Sequence, residues 1–245
     1  MSPAADVTVL IPLYNEEECL VPNTGLLLRF LADRNLNGEI ILGSNGSTDN
    51  TISLARQMER EHPGTIRFFH LPRRGAVGSV FQRAAAMASS QILVSVDMDL
   101  SVDLEFIPRA VSLLERNALV VGSKQSGSQL RSLWRLAGSG AFIFCAQALL
   151  KLPYDDYSLA AKAYRLDAIR PWLGRLSHNT NYVLDLVYLC HHAHLPISVL
   201  PVACEDWRKS RFRLGREAVV RFSYLFSLWG KSLLNGKNER AREGD

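Results

Sequence analysis

Cysteine is scarce in this sequence of 245 residues, and the few that occur are widely spaced. No two of them form a C-x-x-C pair, so a zinc site built from thiolates is not expected. Each has apolar neighbours, which is typical of a small side chain buried in a core, and nothing requires a disulfide. The four cysteines are Cys19, Cys145, Cys190 and Cys204.

A long hydrophobic run is also missing. The longest weakly polar stretch covers residues 136–150, fewer than the roughly 20 residues that a membrane-spanning helix needs, and Gln147 interrupts it. The N-terminal residues lack a basic segment followed by an apolar one, so no secretory signal is expected. Together with cysteines that suit a reducing compartment, these absences favour a cytoplasmic location.

Neither sign of charge dominates the chain. Lysine and arginine number 28 and aspartate and glutamate 24, which leaves a formal net charge of +4. Basic residues nevertheless crowd between Arg208 and Arg221. Hydrophobic residues make up 47% of the sequence, enough for a substantial core, and no repeat or low-complexity linker divides it. We therefore expect one domain over residues 1–235 and a solvated tail over residues 236–245.

The first half alternates short apolar runs with helical patterns. This alternation predicts an α/β fold with a mostly parallel sheet that helices cover on both faces. Ligands bind such sheets at the carboxyl ends of the strands. The predicted strands cover residues 7–12, 39–44, 65–71, 91–97 and 118–123, and the predicted helices cover residues 16–34, 48–60, 77–88 and 103–116.

The second half has a different pattern. Residues 122–129 are rich in glycine and serine and predict a flexible loop, which a long helix over residues 130–150 follows. The later expected elements are an extended piece near 157–163, a helix near 180–193, a strand at 197–202 and a basic amphipathic helix from 214 to about 234.

Asp97 and Asp99 stand where the fourth predicted strand ends. Residues i and i+2 of a strand point to the same face, so both carboxylates can converge on one point. Two converging carboxylates attract a hard divalent cation, and bound phosphates complete its charge balance. The competing interpretation is a turn with two solvated aspartates, which the apolar strand before them disfavours.

Seven stretches, in order along residues 7–235, resemble one known family. They are VTVLIPLYNEEECL, ILGSNGSTDNT, RRGAVGSVFQRA, DMDLS, GSK, DDYSLAAKAYR and WRKSRFRL. The set resembles the family 2 glycosyltransferases of GT-A fold, and within them the dolichyl- or polyprenyl-phosphate sugar (mannose or glucose) synthases. Such an ordered set is far more specific than any single motif.

The resemblance implies a Rossmann-like GT-A domain with a nucleotide-sugar half at about residues 1–125 and an acceptor half at about residues 126–235. It implies an inverting enzyme that moves a hexose-type sugar from a GDP- or UDP-linked donor to a polyprenyl phosphate. A divalent cation, Mn²⁺ or Mg²⁺, would be its cofactor. Chemistry agrees, since a leaving diphosphate gathers charge that a cation stabilises, and an anionic acceptor phosphate needs orientation but no general base.

The resemblance also implies roles for individual residues. The nucleotide-sugar-binding positions would be Pro12, Tyr14, Asn15, Glu16, Ser44, Asn45, Asp49, Arg74, Gly75, Asp97, Met98 and Asp99. The metal-binding positions would be Asp97, Asp99 and Ser101. The acceptor-binding positions would be Lys124, Arg131, Arg135, Asp156, Ser210 and Arg211. Of these, Asp97, Asp99, Arg135 and Arg211 would carry catalysis.

Several positions depart from the family pattern. Ser44 and Asn45 replace two acidic residues, of which one contacts the base in relatives, so the identity of the nucleotide stays open. Ala160, Val183 and Lys124 replace the glycine, acidic residue and arginine that are usual at their positions. An unusual acceptor is therefore credible.

Two alternatives remain open. The enzyme could transfer to a hydroxyl of a glycan, lipid or small molecule, which would require a general base, with Asp155, Asp156 and Asp185 as candidates. The chain could instead be a nucleotide-sugar-binding module without turnover.

The basic segment at residues 208–234 interleaves arginine with phenylalanine, tyrosine and tryptophan. Nucleic-acid binding uses such residues, but no known nucleic-acid-binding fold accompanies them, so that partner is not expected. An interfacial helix that contacts lipid headgroups suits a polyprenyl acceptor better. We therefore expect peripheral contact with the cytoplasmic face of a membrane.

Overall fold

Seven strands form one sheet in the computed structural model, which describes residues 5–126, 133–157, 159–204 and 214–242. Residues 125–126, 133–137, 214–217 and 235–242 of these are described by their backbone alone. The chain separates into two compact units. The first comprises residues 1–127 and 158–206, and the second comprises residues 128–157 and 207–245.

Strands and helices alternate through the first unit as the sequence predicts. The strands are β1 (Val7–Leu13), β2 (Gly38–Asn45), β3 (Ile66–Leu71), β4 (Ile92–Ser95), β5 (Leu119–Ser126), β6 (Lys162–Arg165) and β7 (Ile197–Ala203). The helices are α1 (Leu20–Asp33), α2 (Thr51–Glu61), α3 (Val77–Met87), α4 (Phe106–Leu114), α5 (Leu133–Leu150), α6 (Leu166–Ile169), α7 (Tyr182–His192) and α8 (Leu214–Arg242). A 3₁₀ helix, Arg170–Arg175, follows α6, and the sequence pattern missed both.

The strand order is β3-β2-β1-β4-β6-β5-β7. Strands β1, β2, β3 and β4 are mutually parallel, β5 is parallel to β7, and β6 runs antiparallel to both of its neighbours, β4 and β5. The expectation of a mostly parallel sheet is therefore confirmed. The single antiparallel strand lies between β4 and β5, so β6 begins beside Ser95 at the carboxyl end of β4 and beside Val121 of β5.

Burial explains why the first strands are continuous apolar runs. Every residue of β1 except Pro12 is buried, and every residue of β2 except Gly38 is buried. Residues on both faces of these strands pack against helices, as a parallel sheet in the middle of a fold requires. The register pairs Val9 with Ile40 on one side and with Val94 on the other.

Several predicted element boundaries are wrong, including those of β4, which was expected to reach residue 97, and of β6, which was expected near residues 157–163. Helix α1 begins at Leu20 and has no acidic first turn, because the backbone N–H of Glu16 bonds to the Thr51 hydroxyl (2.7 Å) and holds the chain in a turn. The predicted loop at 122–129 begins as strand, because β5 continues to Ser126 beside β7. Helix α8 continues to Arg242, beyond the end expected near residue 234 and into the segment expected to be a tail.

The second unit contains the long helices α5 and α8. The ring of Phe142 on α5 lies 5.5 Å from that of Phe222 on α8, and the guanidinium carbon of Arg221 lies 4.9 Å from the Phe142 centroid. Arg221 also donates to the carbonyl of Tyr157 at 2.9 Å. Where the structure describes helices, none is long and apolar enough to cross a membrane.

Several large apolar side chains of the second unit remain in contact with solvent. Val219, Phe226 and Leu233 are exposed by 66%, 49% and 50%. They recur every seven residues along α8, so they lie on one face of that helix. We call these three residues the apolar stripe of α8.

Candidate functional site

The polar residues of interest follow the carboxyl ends of β1, β2 and β4. The chain moves from β1 outward through β2 and β3, and then returns to place β4 on the other side of β1. The crevice at such a change of direction, outside the carboxyl ends of the strands, is the usual ligand site of an open α/β sheet. Asp97 follows β4 and Tyr14 follows β1, so both stand at this crevice.

Hydrogen bonds join the turn after β1 to the turn after β2. Asn15 adopts a positive φ of 54°, and its side-chain oxygen accepts from the N–H of Thr48 at 2.8 Å. Its own N–H donates to the hydroxyl of Ser47 at 3.2 Å. Asparagine tolerates this left-handed conformation better than most residues. The two turns therefore form one rigid wall of the crevice.

Asp49 contributes to the same wall. One carboxylate oxygen accepts from the N–H of Thr51 at 3.0 Å, and the other accepts from the N–H of Glu17 at 3.3 Å. Partial burial raises its pKa, but the hydrogen bonds from Thr51 and Glu17 lower it more, so the net pKa of Asp49 is below its ordinary value. The direct partners of Asp49 are thus the backbone of Glu17 and both the backbone and the side chain of Thr51, and a nucleotide contact stays a prediction.

Ser44 and Asn45 end β2 where the family pattern has acidic residues. Ser44 is fully buried, and its hydroxyl donates to the hydroxyl of Ser47 at 2.9 Å. The Nδ1 atom of His70, which pairs with Ser44 in the sheet register, lies 3.1 Å from the same hydroxyl. The sequence pattern gave no sign of His70. A chain of two hydroxyl groups and an imidazole therefore stands at this end of β2, where the family pattern has a carboxylate.

Both the nitrogen and the oxygen of the Asn45 side-chain amide form hydrogen bonds. Its Nδ2 donates to the carbonyl of Leu13 at 3.0 Å, and its Oδ1 accepts from the N–H of Gly75 at 3.1 Å. An aspartate could accept from Gly75 but could not donate to Leu13. The amide thus ties the end of β1 to the loop that precedes α3.

Gly46 allows that loop to approach closely. Its φ is +79°, and a Cβ added there would lie 2.7 Å from the backbone nitrogen of Arg74. A left-handed conformation with this little space is suited to glycine alone. The approach brings the exposed guanidinium of Arg74 over the Tyr14 ring, with its central carbon 4.5 Å from the centroid. Arg74, Gly75 and Tyr14 therefore meet, as the nucleotide-site prediction requires.

The turn after β4 differs from the predicted geometry. β4 ends at Ser95, so Asp97 and Asp99 lie in a turn and not on a strand face. Leu100 has a φ of +50°, an uncommon conformation for a branched residue, and the Ser101 N–H donates to Asp99 Oδ1 at 3.1 Å. Strained backbone of this kind is often found at functional sites.

Met98 faces away from the crevice. Its side chain is only 2% exposed and belongs to the hydrophobic core, while its carbonyl accepts from the side chain of Asn23 at 2.8 Å. Met98 therefore anchors the turn that carries Asp97 and Asp99, which we call the acidic turn. A nucleotide contact through its side chain, which the sequence interpretation allowed, does not fit this burial.

Asp97 is the most perturbed carboxylate of the crevice. Its side chain reaches solvent, yet the protein around it withdraws it from bulk water, and this desolvation is the largest cause that raises its pKa to about 7. Asp99 and Glu16 raise the pKa further, whereas Lys124 and Lys162 lower it. Two carboxylates and two ammonium groups thus act on Asp97, and the carboxylates of Asp97 and Asp99 together are a donor set that suits a hard divalent cation.

Lys162 is a residue that the sequence interpretation overlooked. It begins β6 and is fully buried, and its ammonium donates to the carbonyl of Leu159 at 2.7 Å. The signal in the sequence was a lysine inside the apolar run LAAKAY. A fully buried lysine is rare unless it is paired, which could have marked it.

The acceptor residues are placed only in part. Lys124 lies on β5 and is half-buried, and Asp156 is buried in the second unit. Arg135 lies on α5, but its side chain is outside the described part of the structure, and Arg131, Ser210 and Arg211 lie outside it entirely. Asp185, a candidate base, is 5% exposed and accepts from the N–H of Ser177 at 2.7 Å.

Residues 8–170, more than half of the sequence, match the family described as Glycosyl transferase family 2. The chain belongs to the family 2 glycosyltransferases. Undecaprenyl-phosphate 4-deoxy-4-formamido-L-arabinose transferase from Yersinia enterocolitica (serotype O:8 / biotype 1B) is 29% identical over 170 residues, which cover 68% of this chain and 51% of that protein. The enzyme of the same name from Yersinia pestis (strain Pestoides F) is 28% identical over 174 residues, which cover 70% and 52%. This glycosyltransferase thus spans about half the length of the curated relatives that it matches.

Solved structures resemble this family member over most of its length. Glucosyl-3-phosphoglycerate synthase from Mycobacterium tuberculosis, in complex with UDP, gives a TM-score of 0.69 at 19% identity, covering 92% of this chain and 80% of that one. Its complex with Mn²⁺, UDP and phosphoglyceric acid gives 0.69 at 19% identity, with coverage of 92% and 79%. The likeness confirms the predicted GT-A fold.

We expect Asn45→Asp to destabilise this glycosyltransferase by about 1–3 kcal/mol, because the Leu13 carbonyl would lose its donor and face a carboxylate oxygen. Chemical denaturation measures the free energy of unfolding. The control is Asn50→Asp, an exposed change on the neighbouring turn, which should stay within about 0.5 kcal/mol of the wild type. Equal effects of the two substitutions would contradict the role of the Asn45 amide.

A second prediction concerns the raised pKa of Asp97. In the folded state the Asp97 carboxyl keeps its proton up to about pH 7, whereas in the unfolded chain it loses the proton near its ordinary pKa of 3.8. The free energy of unfolding therefore decreases as pH rises between these two values. Without divalent cations at about pH 8, the Asp97→Asn variant should therefore melt at a higher temperature than the wild type. At about pH 5, where wild-type Asp97 is protonated, this difference should shrink.

Differential scanning calorimetry with a chelator present makes this measurement. Asp103→Asn is the control, because Asp103 is exposed and its side-chain oxygen caps the N–H of Glu105, which asparagine can also do. A gain in melting temperature that is the same at both pH values would contradict a charge effect at Asp97.

Proposed function

We propose that this family 2 member transfers a sugar from a nucleoside diphosphate sugar to a polyprenyl phosphate. The observation that carries the proposal is the mixture of charges at the crevice, where Asp97 and Asp99 stand beside the ammonium of Lys124. Carboxylates suit the metal of a metal–diphosphate donor, and a neighbouring cation suits the phosphate of an acceptor. The acceptor class is supported by the names of the Yersinia relatives.

A divalent cation, Mn²⁺ or Mg²⁺, fits the donor set that Asp97, Asp99 and Ser101 offer. Desolvation is the largest cause that raises the pKa of Asp97 to about 7, and the carboxylates of Asp99 and Glu16 raise it further, so an added cation would stabilise the ionised form. When bound, the cation would stabilise the charge that gathers on the leaving diphosphate. The Mn²⁺ in the structures of the mycobacterial synthase supports this assignment.

The wall formed by the turns after β1 and β2 would hold the nucleotide. We propose that Tyr14, Arg74 and Gly75 contact it directly, and that Ser44 and Asn45 act behind them by fixing the loops. A nucleobase that needs a carboxylate partner would find hydroxyl and imidazole groups here, namely those of Ser44, Ser47 and His70. UDP is supported by the mycobacterial structures, and GDP remains the alternative.

Positive groups would orient the acceptor phosphate. Lys124 is the described candidate, and Arg131, Arg135, Ser210 and Arg211 complete the proposed set. A phosphate oxygen is already anionic, so it would attack the sugar carbon directly as the bond to the diphosphate breaks, which inverts that carbon. These residues would then serve to orient the acceptor phosphate, and arginine does so through paired hydrogen bonds.

A transfer assay tests the acceptor class. The protein is incubated with UDP- or GDP-linked hexose, Mn²⁺ and one of three acceptors, which are polyprenyl phosphate, the matching polyprenol, and phosphoglyceric acid. Product with polyprenyl phosphate alone supports the proposal. Product with the polyprenol would indicate a hydroxyl acceptor and a general base. Product with phosphoglyceric acid would indicate a small-molecule acceptor. If the protein binds the nucleotide sugar but forms no product with any acceptor, it is a nucleotide-sugar-binding module.

Donor binding gives a sharper prediction for Asp99. Asp99→Ala should weaken Mn²⁺-dependent binding of the nucleotide sugar by more than about 100-fold, because even residues that only support a metal ligand typically contribute 10–100-fold. Isothermal titration calorimetry measures the affinity, and Asp103→Asn serves again as the control. Unchanged affinity in the Asp99→Ala protein would remove Asp99 from the metal site.

We further propose peripheral contact with the cytoplasmic face of a membrane through the second unit. The support is the apolar stripe of α8, which is exposed, and the basic residues that crowd between Arg208 and Arg221. Apolar residues would enter the headgroup region, and each basic residue near an anionic surface would contribute about 1 kcal/mol, which salt screens.

Vesicle flotation tests this contact. Binding to anionic vesicles should be strong at low salt, weaken at high salt, and be poor on neutral vesicles. Phe226→Ser combined with Leu233→Ser should reduce binding, whereas Leu26→Ser, at a 47% exposed position on α1, should not. A protein that does not float with anionic vesicles at low salt would contradict the proposal.

A further inference from the structure

Lys162 has an unusual position for a lysine. Its side chain is fully buried, although lysine almost always keeps its ammonium in water. Burial of an ammonium costs several kcal/mol unless hydrogen bonds and an opposite charge compensate it. The carbonyl of Leu159, at 2.7 Å, supplies one hydrogen bond but no full charge.

The sheet register locates the compensating charge. Lys162 pairs directly with Ser95 at the end of β4 and with Val121 on β5. β4 leads within two residues to Asp97, so Lys162 enters the sheet immediately beside the acidic turn. Its effect on Asp97 agrees, since Lys162 is among the groups that lower the pKa of that carboxyl.

The antiparallel direction of β6 is what makes this placement possible. A parallel strand in the same slot would begin at the opposite edge of the sheet and would bring its last residue to the crevice. Because β6 runs the other way, its first residue arrives at the carboxyl end of β4 and beside Val121 of β5. The carbonyl of Ala161, one residue earlier, accepts from the N–H of Gly122 at 2.9 Å and fixes the entry of the strand.

We propose that Lys162 is a positioning residue that supplies a permanent cation beneath the acidic turn and thereby weakens its affinity for a free divalent cation. The proposal rests on the proposed function, in which Asp97 and Asp99 hold the metal of the donor. Part of the negative charge is neutralised by the protein itself. The metal then binds well only when the diphosphate of the donor adds its own negative charge, so metal and nucleotide sugar enter as a pair.

Binding of Mn²⁺ alone, without nucleotide, tests the inference. Lys162→Met removes the charge and the hydrogen bond, Lys162→Gln removes the charge and keeps a donor for Leu159, and Lys162→Arg keeps the charge. We expect Met and Gln variants to bind Mn²⁺ roughly tenfold more tightly than the wild type, because one repelling charge is gone, and the Arg variant to be unchanged. The variants should also lose much of the affinity that nucleotide adds to Mn²⁺ binding.

Electron paramagnetic resonance of free Mn²⁺ measures this affinity. We choose about pH 8.5, above the Asp97 pKa of about 7, so that protons compete little with the metal. Tyr164→Phe is the matched control, because Tyr164 lies two residues along the same strand and is also fully buried. It should leave Mn²⁺ affinity unchanged.

A merely structural role makes a different prediction. Equal or weaker Mn²⁺ binding in the neutral variants would overturn the inference, and so would variants that fail to fold whether or not Mn²⁺ is present. Variants that are destabilised in a chelator but regain wild-type melting temperature with Mn²⁺ would support it. If Asp99→Ala abolishes Mn²⁺ binding while the Lys162 variants match the wild type, this inference fails and the proposed function survives.

Discussion

Mutual repulsion among carboxylates is the constraint on which the site depends. Asp99 and Glu16 both raise the pKa of Asp97, which the protein withdraws from bulk water near the carboxyl end of β4. Such a group of acids would open the turn unless positive charge stood nearby. Lys124 arrives on β5 and Lys162 on β6, so two of the three strands that follow β4 bring cations to the acids.

The same constraint accounts for the rigidity of the backbone around the acids. Asn15 and Leu100 both hold positive φ values, on opposite sides of the crevice. Each is fixed by partners, Asn15 through Ser47 and Thr48, and the acidic turn through the buried Met98. The binding groups are therefore arranged before a ligand arrives, which reduces the ordering cost of binding.

The sequence predicted β1, β2, β3 and β7 well, because each is an apolar run with a turn at its end, but it misplaced the ends of β4 and β5 and expected β6 too early. It misplaced the start of α1, since the hydrogen bond from Glu16 to Thr51 joins residues far apart in the chain and leaves no local pattern. Lys162 was missed for a related reason. A lysine in a short strand is ordinary in sequence, and only the pairing with Ser95 shows which acids it neighbours. Asn45 appeared as a departure from its family, whereas its two backbone partners show what the amide does.

The position of β6 also bears on how the chain acquires its structure during synthesis. β6 is the only link in the described sheet between the β3-β2-β1-β4 group and the β5-β7 pair, and it comes from residues made after the excursion through α5. Until β6 has been synthesised, one edge of β4 has no partner strand, and the nascent chain on the ribosome has an incomplete sheet. Open edges invite pairing with other chains. The first 125 residues therefore lack the strand that joins the two parts of the described sheet.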